Sequence, residues 1–138
     1  MAKRKTLAID YGVRNIGLAC SDDLGLIVQP LPSLPRRNRR GTIAALRAVV
    51  AAHSVRCIVV GMPWNMDGSR GPAAERVEAF MRLLAQELGL PLDAVDERLS
   101  TVEAVAIWHG MNRRQQRRYR TVDSLAAALI LQRHLEAG

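Results

Sequence analysis

No apolar run in these 138 residues is long enough to span a membrane. A basic start at Lys3, Arg4 and Lys5 leads into an apolar stretch from Leu7, but Asp10 interrupts it before it can serve as a signal-peptide core, so a cytoplasmic protein is expected. Cysteine is scarce. Cys20 and Cys57 each sit inside an apolar run, without the paired spacing of a metal site, which excludes a disulfide framework and a zinc site and leaves two buried thiols in a reducing compartment. There is no internal repeat, low-complexity segment or linker, so residues 1–138 read as a single domain. Acids are also in short supply: 13 Asp and Glu against 20 Lys and Arg give a net charge of +7. That imbalance favours a polyanionic partner, of which nucleic acid is the commonest. With 49% hydrophobic residues the chain is nonetheless a folded, globular one.

What is present is organised around LAIDYGVRNIGLACS, residues 7–21. An apolar run ends on Asp10, turn signals follow at Gly12 and Asn15, and a second apolar run begins after Gly17, the pattern of a hairpin. Alternation puts Thr6, Ala8 and Asp10 on one face and Leu7 and Ile9 on the other. Leu26 to Val28 reads as a strand that Pro30, Pro32 and Pro35 end early. A loop bearing Arg36, Arg37, Arg39 and Arg40 leads to a helix with Thr42 as its cap, and Ile43, Leu46, Val49 and Val50 on one face as far as His53. The continuous apolar run Cys57–Gly61 has the pattern of a central strand. A helical crossover between two such strands requires a right-handed, layered α/β arrangement. After the loop GMPWNMDGS comes a helix from Pro72 to Gly89, with Val77, Phe80, Met81, Leu84 and Leu88 as its stripe. Leu92–Val95 is the last strand, ending at Asp96 and Glu97, and Ser100 with Glu103 forms a capping box for a helix reaching Gly110. The segment Gly110–Thr121 holds Arg113, Arg114, Arg117, Arg118 and Arg120 with no acid and reads as a long basic loop. A final helix covers Val122–Leu135.

Asp123 heads the stripe Asp123, Ala126, Ala127, Ile130, Leu131, His134 of that last helix, on the side facing the sheet. Plain structural uses exist for both aspartates: Asp10 can bond the turn that follows it, and Asp123 can complement a helix N-terminus. Yet three carboxylates at the ends of separate elements, Asp10, Glu97 and Asp123, can converge at the carboxyl rim of the sheet. Their mutual repulsion is costly unless a cation sits among them. Oxygen ligands without His or Cys suit Mg²⁺ or Mn²⁺, and two such ions support phosphodiester cleavage.

IDYGVRNIGLA, GMPWNMDGS, DERLSTVEA and VDSLAAALILQ, in this order and covering Leu7 to Gln132, resemble the YqgF/RuvX family of ribonuclease H-like proteins. The resemblance implies an α/β fold with a five-stranded mixed sheet, three strands antiparallel and then two parallel, flanked by about four helices. It also implies a divalent-metal-dependent nuclease whose catalytic and metal-binding acids are Asp10, Glu97 and Asp123, and it selects Glu97 over its neighbour Asp96. Gly12 and Gly17 match hairpin glycines of the family, and Asn65 and Gly68 its substrate-contacting loop after the fourth strand; Gly61, like these three glycines, is expected in a turn. Trp64 departs from the pattern; its indole either stacks on a base or anchors the loop to the core. Arg14, Arg98 and the arginines of 113–120 are expected to hold phosphates, alongside the loop at Arg36–Arg40. Similar proteins are linked to maturation of the 5′ end of 16S ribosomal RNA and to cleavage of branched DNA, so precursor rRNA or a DNA junction is the expected partner of a monomer or homodimer. The competing reading is a non-catalytic RNA-binding module of ribosome assembly that retains the acids as relics.

Overall fold

The computed structural model describes residues 4–97 and 100–137, with Ser100 and Thr101 as backbone only. The apolar run at Leu7 lies in β1 (Thr6–Tyr11), which returns antiparallel as β2 (Asn15–Ser21). Gly12 makes the turn: its N–H donates to the Asp10 and Asn15 carbonyls, and a Cβ there would lie 2.5 Å from the Asn15 oxygen. β3 (Val28–Pro35) pairs antiparallel with β2, while β4 (Cys57–Met62) runs parallel to β1 and β5 (Leu92–Asp96) parallel to β4. The order β3-β2-β1-β4-β5 is the mixed sheet that the resemblance implies.

β3 corrects the sequence reading. Leu26 and Ile27 are exposed, and the strand begins where its prolines predict an early end. The reason lies in the topology, because β3 is an edge strand and only one of its sides has a ladder to complete.

Five helices lie among the described residues: α1 (Arg39–His53), α2 (Pro72–Leu88), α3 (Ser100–Gly110), α4 (Arg113–Tyr119) and α5 (Val122–Ala137). α1 is capped by Asn38, whose Oδ1 accepts from the Gly41 N–H at 2.8 Å, and not by Thr42. Thr42 is instead buried in the first turn, its hydroxyl bonded back to the Arg37 backbone at 3.2 Å. The larger correction is α4, which occupies the segment that reads as a basic loop and brings the helix number above four. Asn112 and Gln115 form a reciprocal capping box, and the arginines all face solvent, where their charge does not oppose helix formation. The Ser100 side chain, assigned to the cap of α3, lies outside the described residues.

Alternation along the strands divides the core in two. Leu7 and Ile9, Ile16 and Leu18, and Ile58 and Val60 point toward α1 and α2, packing with Ile43, Leu46, Val77, Phe80 and Leu84. The opposite face carries small residues, Ala8 and Ala19 with Val59, against Ala127, Ala128, Ile130 and Leu131 of α5. Small side chains on both partners let α5 lie close to the sheet, on the face that also carries Asp10.

Candidate active site

Asp10 sits near the end of β1, half-buried, on the α5 face. Glu97 follows β5, and its N–H donates to the Met62 carbonyl at 3.1 Å, which continues the β4–β5 ladder by one residue. Only 7% of Glu97 is exposed. The two carboxyl groups are hydrogen-bonded to each other although β4 lies between their strands. Gly61 of β4 makes this possible. A Cβ there would stand 2.6 Å from Glu97 Oε2 and 2.5 Å from Ile130 Cδ1, so the missing side chain is the slot through which Glu97 reaches across.

Asp123 arrives from the helix side. Gly17 is the cross-strand partner of Asp10, and the Asp123 backbone carbonyl rests where a Gly17 Cβ would be. Gly17 and Gly61 therefore lie inside strands at points of close approach, a correction to their reading as turn residues; Gly12 and Gly68 are in turns, Gly68 at φ +85°. Hydroxyls hold the start of α5 in place: Ser124 Oγ donates to the Leu31 carbonyl at 2.5 Å, and Thr121 Oγ1 accepts from the Ser124 N–H at 3.0 Å and meets Ser33 Oγ at 2.6 Å.

The electrostatics follow from this burial. Desolvation, and then the neighbouring Asp10 charge, push the Glu97 carboxyl up to about 9. Desolvation also raises Asp10 to about 6, against the hydrogen bond from Glu97 and with a further push from the Asp123 charge. Burial raises Asp123 as well. Near neutral pH Glu97 therefore keeps its proton and donates it to the Asp10 carboxylate, while Glu97 Oε2 is buried without a hydrogen-bond partner. Among the described residues no three His, Cys, Asp or Glu side chains are gathered closely enough to hold a metal ion as they stand. Asp10 and Glu97 touch, and Asp123 acts on Asp10 through its charge.

The Holliday junction resolvase family RuvX matches the chain over residues 4–137. The chain belongs to the RuvX family. It is 42% identical over 132 residues to a protein of Moorella thermoacetica named "Putative pre-16S rRNA nuclease", covering 96% of this chain and 94% of that one. A relative of the same name from Myxococcus xanthus is 41% identical over 133 residues, covering 96% and 88%. Among solved structures, Thermus thermophilus RuvC in complex with a Holliday junction substrate superposes with a TM-score of 0.58 at 16% identity, covering 96% of this chain and 94% of that one. The fold is thus ribonuclease H-like.

Around the acids of this RuvX-family chain, Arg133 of α5 is a residue that the sequence reading passes over. Its guanidinium donates to the Asp96 carbonyl at 3.0 Å and to Glu103 Oε2 at 3.2 Å, and its charge partly offsets the rise at Glu97. The signal for it in the sequence is its place next to His134, at the end of the Asp123 stripe. Arg14 is exposed in the hairpin turn. Asn65 is exposed but engaged within its own loop, its Nδ2 donating to Ser69 Oγ at 3.0 Å. Trp64 is half-buried against the main core, which favours the anchor over the free stacking platform. Arg113, Arg114, Arg117, Arg118 and Arg120 are all exposed on or just after α4, immediately ahead of the helix that carries Asp123. Arg98 lies outside the described residues. No described helix is long and apolar enough to cross a membrane.

Proposed function

We propose that this RuvX-family nuclease hydrolyses phosphodiester bonds in structured nucleic acid, precursor 16S ribosomal RNA first and a four-way DNA junction second, with divalent ions held by Asp10, Glu97 and Asp123. One observation carries the proposal. Two acids carried by strands that are not neighbours come close enough at the rim of the sheet to act on each other, with Glu97 Oε2 buried and unpartnered there. Gathering desolvated acids in this way is costly unless a cation takes the place of the proton on Glu97.

The donor set fits a hard cation, since it is made of carboxylate oxygens alone and suits Mg²⁺ or Mn²⁺ in preference to zinc. Asp10 and Glu97 would hold it, with Asp123 completing the set from α5. Two ions would polarise the scissile phosphate and supply hydroxide from water near neutral pH. The protein itself does the rest. On loading, Glu97 would give up the proton it holds beside Asp10, and the Arg133 charge would lower the cost of the second negative charge. The arginines of α4, with Arg14, hold flanking phosphates without selecting a sequence. A monomer suffices for a single cut in RNA, whereas symmetric cutting of a junction calls for a homodimer. Cytoplasmic residence agrees with such substrates.

The test is a cleavage panel of precursor ribosomal RNA, a four-way DNA junction and linear single strands, run with Mg²⁺, Mn²⁺ or chelator. Metal-dependent cleavage that disappears in Asp10→Asn is expected. Binding that persists in chelator, with no cleavage under either ion, would instead identify a non-catalytic RNA-binding module.

A further inference from the structure

The geometry points to a second nucleic-acid site, a basic groove between α1 and α2 that takes the phosphates of a single strand leaving the active site over the rim of the sheet. It rests on the nuclease proposal and extends it to the face of the sheet opposite the acids. A cavity of about 600 Å³ opens there, lined by Arg36, Arg37, Arg39, Arg76 and Arg82 together with Tyr11. No Asp or Glu lines it, and none of these five arginines makes an ion pair among the described residues. Of the three acids of α2, Glu78 is paired with Arg70 and Glu87 with Arg47, and Glu75, in the first turn, does not line the cavity. Five guanidinium groups around one cavity repel one another unless an anion joins them, and their planar forks match phosphate oxygens.

The floor of the groove is preorganised. The Tyr11 ring stacks on Phe80 with centroids 3.8 Å apart and planes 7° from parallel, and the Arg36 guanidinium lies 4.3 Å from the Tyr11 centroid on that ring's face. Arg36 is also tied to the hairpin, its backbone N–H donating to the Arg14 carbonyl at 2.8 Å. The position of Tyr11 decides the occupant. It follows Asp10 directly in β1, so alternation sends one side chain to the acid cluster and the next to the groove. A strand whose scissile phosphate lies at Asp10 therefore needs to pass only over the rim of the sheet, at the end of β1, to enter the groove.

The test uses Asp10→Asn protein in Mg²⁺ and a labelled single-stranded RNA of about 12 nucleotides, within the usual site size of single-strand binders. The triple variant Arg37→Ala, Arg76→Ala, Arg82→Ala is compared with a charge-matched triple at the opposite rim, Arg4→Ala, Lys5→Ala, Arg56→Ala. Expected is at least a tenfold loss of affinity for the groove triple, with a log–log salt dependence shallower by about 2, since each neutralised single-strand phosphate contributes about 0.7. The control triple should lose less than threefold. Equal losses in the two triples, or none in either, would overturn the groove. So would a thermal shift with ATP that the groove triple abolishes while RNA binding stays unchanged, because the groove would then serve a free nucleotide. Melting curves establish that each variant is folded, and Arg82→Ala alone is the fallback, with a smaller loss in the same direction expected and none counting against the groove. Asp10-dependent cleavage of a tetranucleotide, too short to span both places, reports on the nuclease proposal separately and should survive in the groove triple.

Discussion

The backbone carbonyl of Asp123 rests on Gly17, in the space that any larger residue would need. Because Gly17 is also the cross-strand partner of Asp10, this one approach sets how near the helix-borne acid comes to the strand-borne one. Gly17→Ala should force α5 outward, costing about 1–3 kcal/mol as overpacking does. The expected result is a lower denaturation midpoint together with a loss of cleavage far larger than the stability change explains. A variant as active as the parent would separate the two acids' spacing from function.

The proton shared by Asp10 and Glu97 makes a statement about stability against pH. Both carboxyls are raised by folding, Glu97 from 4.5 to about 9 and Asp10 from 3.8 to about 6. A carboxyl raised in the folded state binds its proton more tightly there than in the unfolded chain. Its contribution is therefore complete below the unfolded value and lost as pH rises through the folded one. In chelator, urea midpoints should fall between about pH 4 and 9, most steeply at about pH 5 to 6, where both carboxyls hold protons that the unfolded chain has lost, and about half as steeply from there to about pH 9, where only Glu97 does. Glu97→Gln keeps the hydrogen bond without the ionisation, so the wild type should lose stability relative to this variant as pH rises. Parallel pH profiles for the two proteins would contradict the shared proton.

Divalent ions should act in the opposite sense. If Mg²⁺ or Mn²⁺ replaces that proton, ion binding is coupled to proton release and tightens with pH. Thermal shifts on adding either ion should be larger at about pH 8.5 than at about pH 6 and should vanish in Asp10→Asn. A shift independent of pH would place the ion elsewhere.

The arginines of α4 make a separable prediction. Replacing Arg113, Arg114, Arg117 and Arg118 by Ala removes exposed side chains, so melting should change little. Affinity for nucleic acid should fall, and its salt dependence should flatten by about 0.7 to 0.9 for each phosphate that is no longer neutralised. Asn112→Ala tests the same helix through its cap, at a local cost of about 1 kcal/mol, and should weaken binding without touching the core. Unchanged affinity and slope in the fourfold variant would leave α4 a solvated face.

The hairpin and the inward stripe of α5 are legible in the sequence because period and turn chemistry are local signals, whereas the arrangement of the strands is implied only by the family resemblance. Asp10 and Asp123 can be singled out because each sits at the boundary of an element, whereas choosing Glu97 over Asp96 takes the family resemblance. Three features escape a sequence reading, each for its own reason. β3 reads as shorter than it is because proline is a breaker only where a ladder must be completed on both sides, and edge position is a property of the whole sheet. α4 reads as a loop because the arginine run outweighs Asn112 and Gln115, although that pair is an ordinary start signal three residues apart. The roles of Gly17 and Gly61 depend on what lies above them in space, the Asp123 carbonyl and the Glu97 carboxyl, which no window of sequence contains. Arg133 belongs to the same class, since its partners lie 30 and 37 positions away.

The prolines of β3 reach beyond this strand. Three of its eight residues have no N–H to offer, so a second polypeptide approaching the outer side of β3 would meet an interrupted row of donors. That flank is guarded against strand addition and against the edge-to-edge association that turns sheet proteins into aggregates. A second copy of the chain that docks on this side would have to do so through side chains.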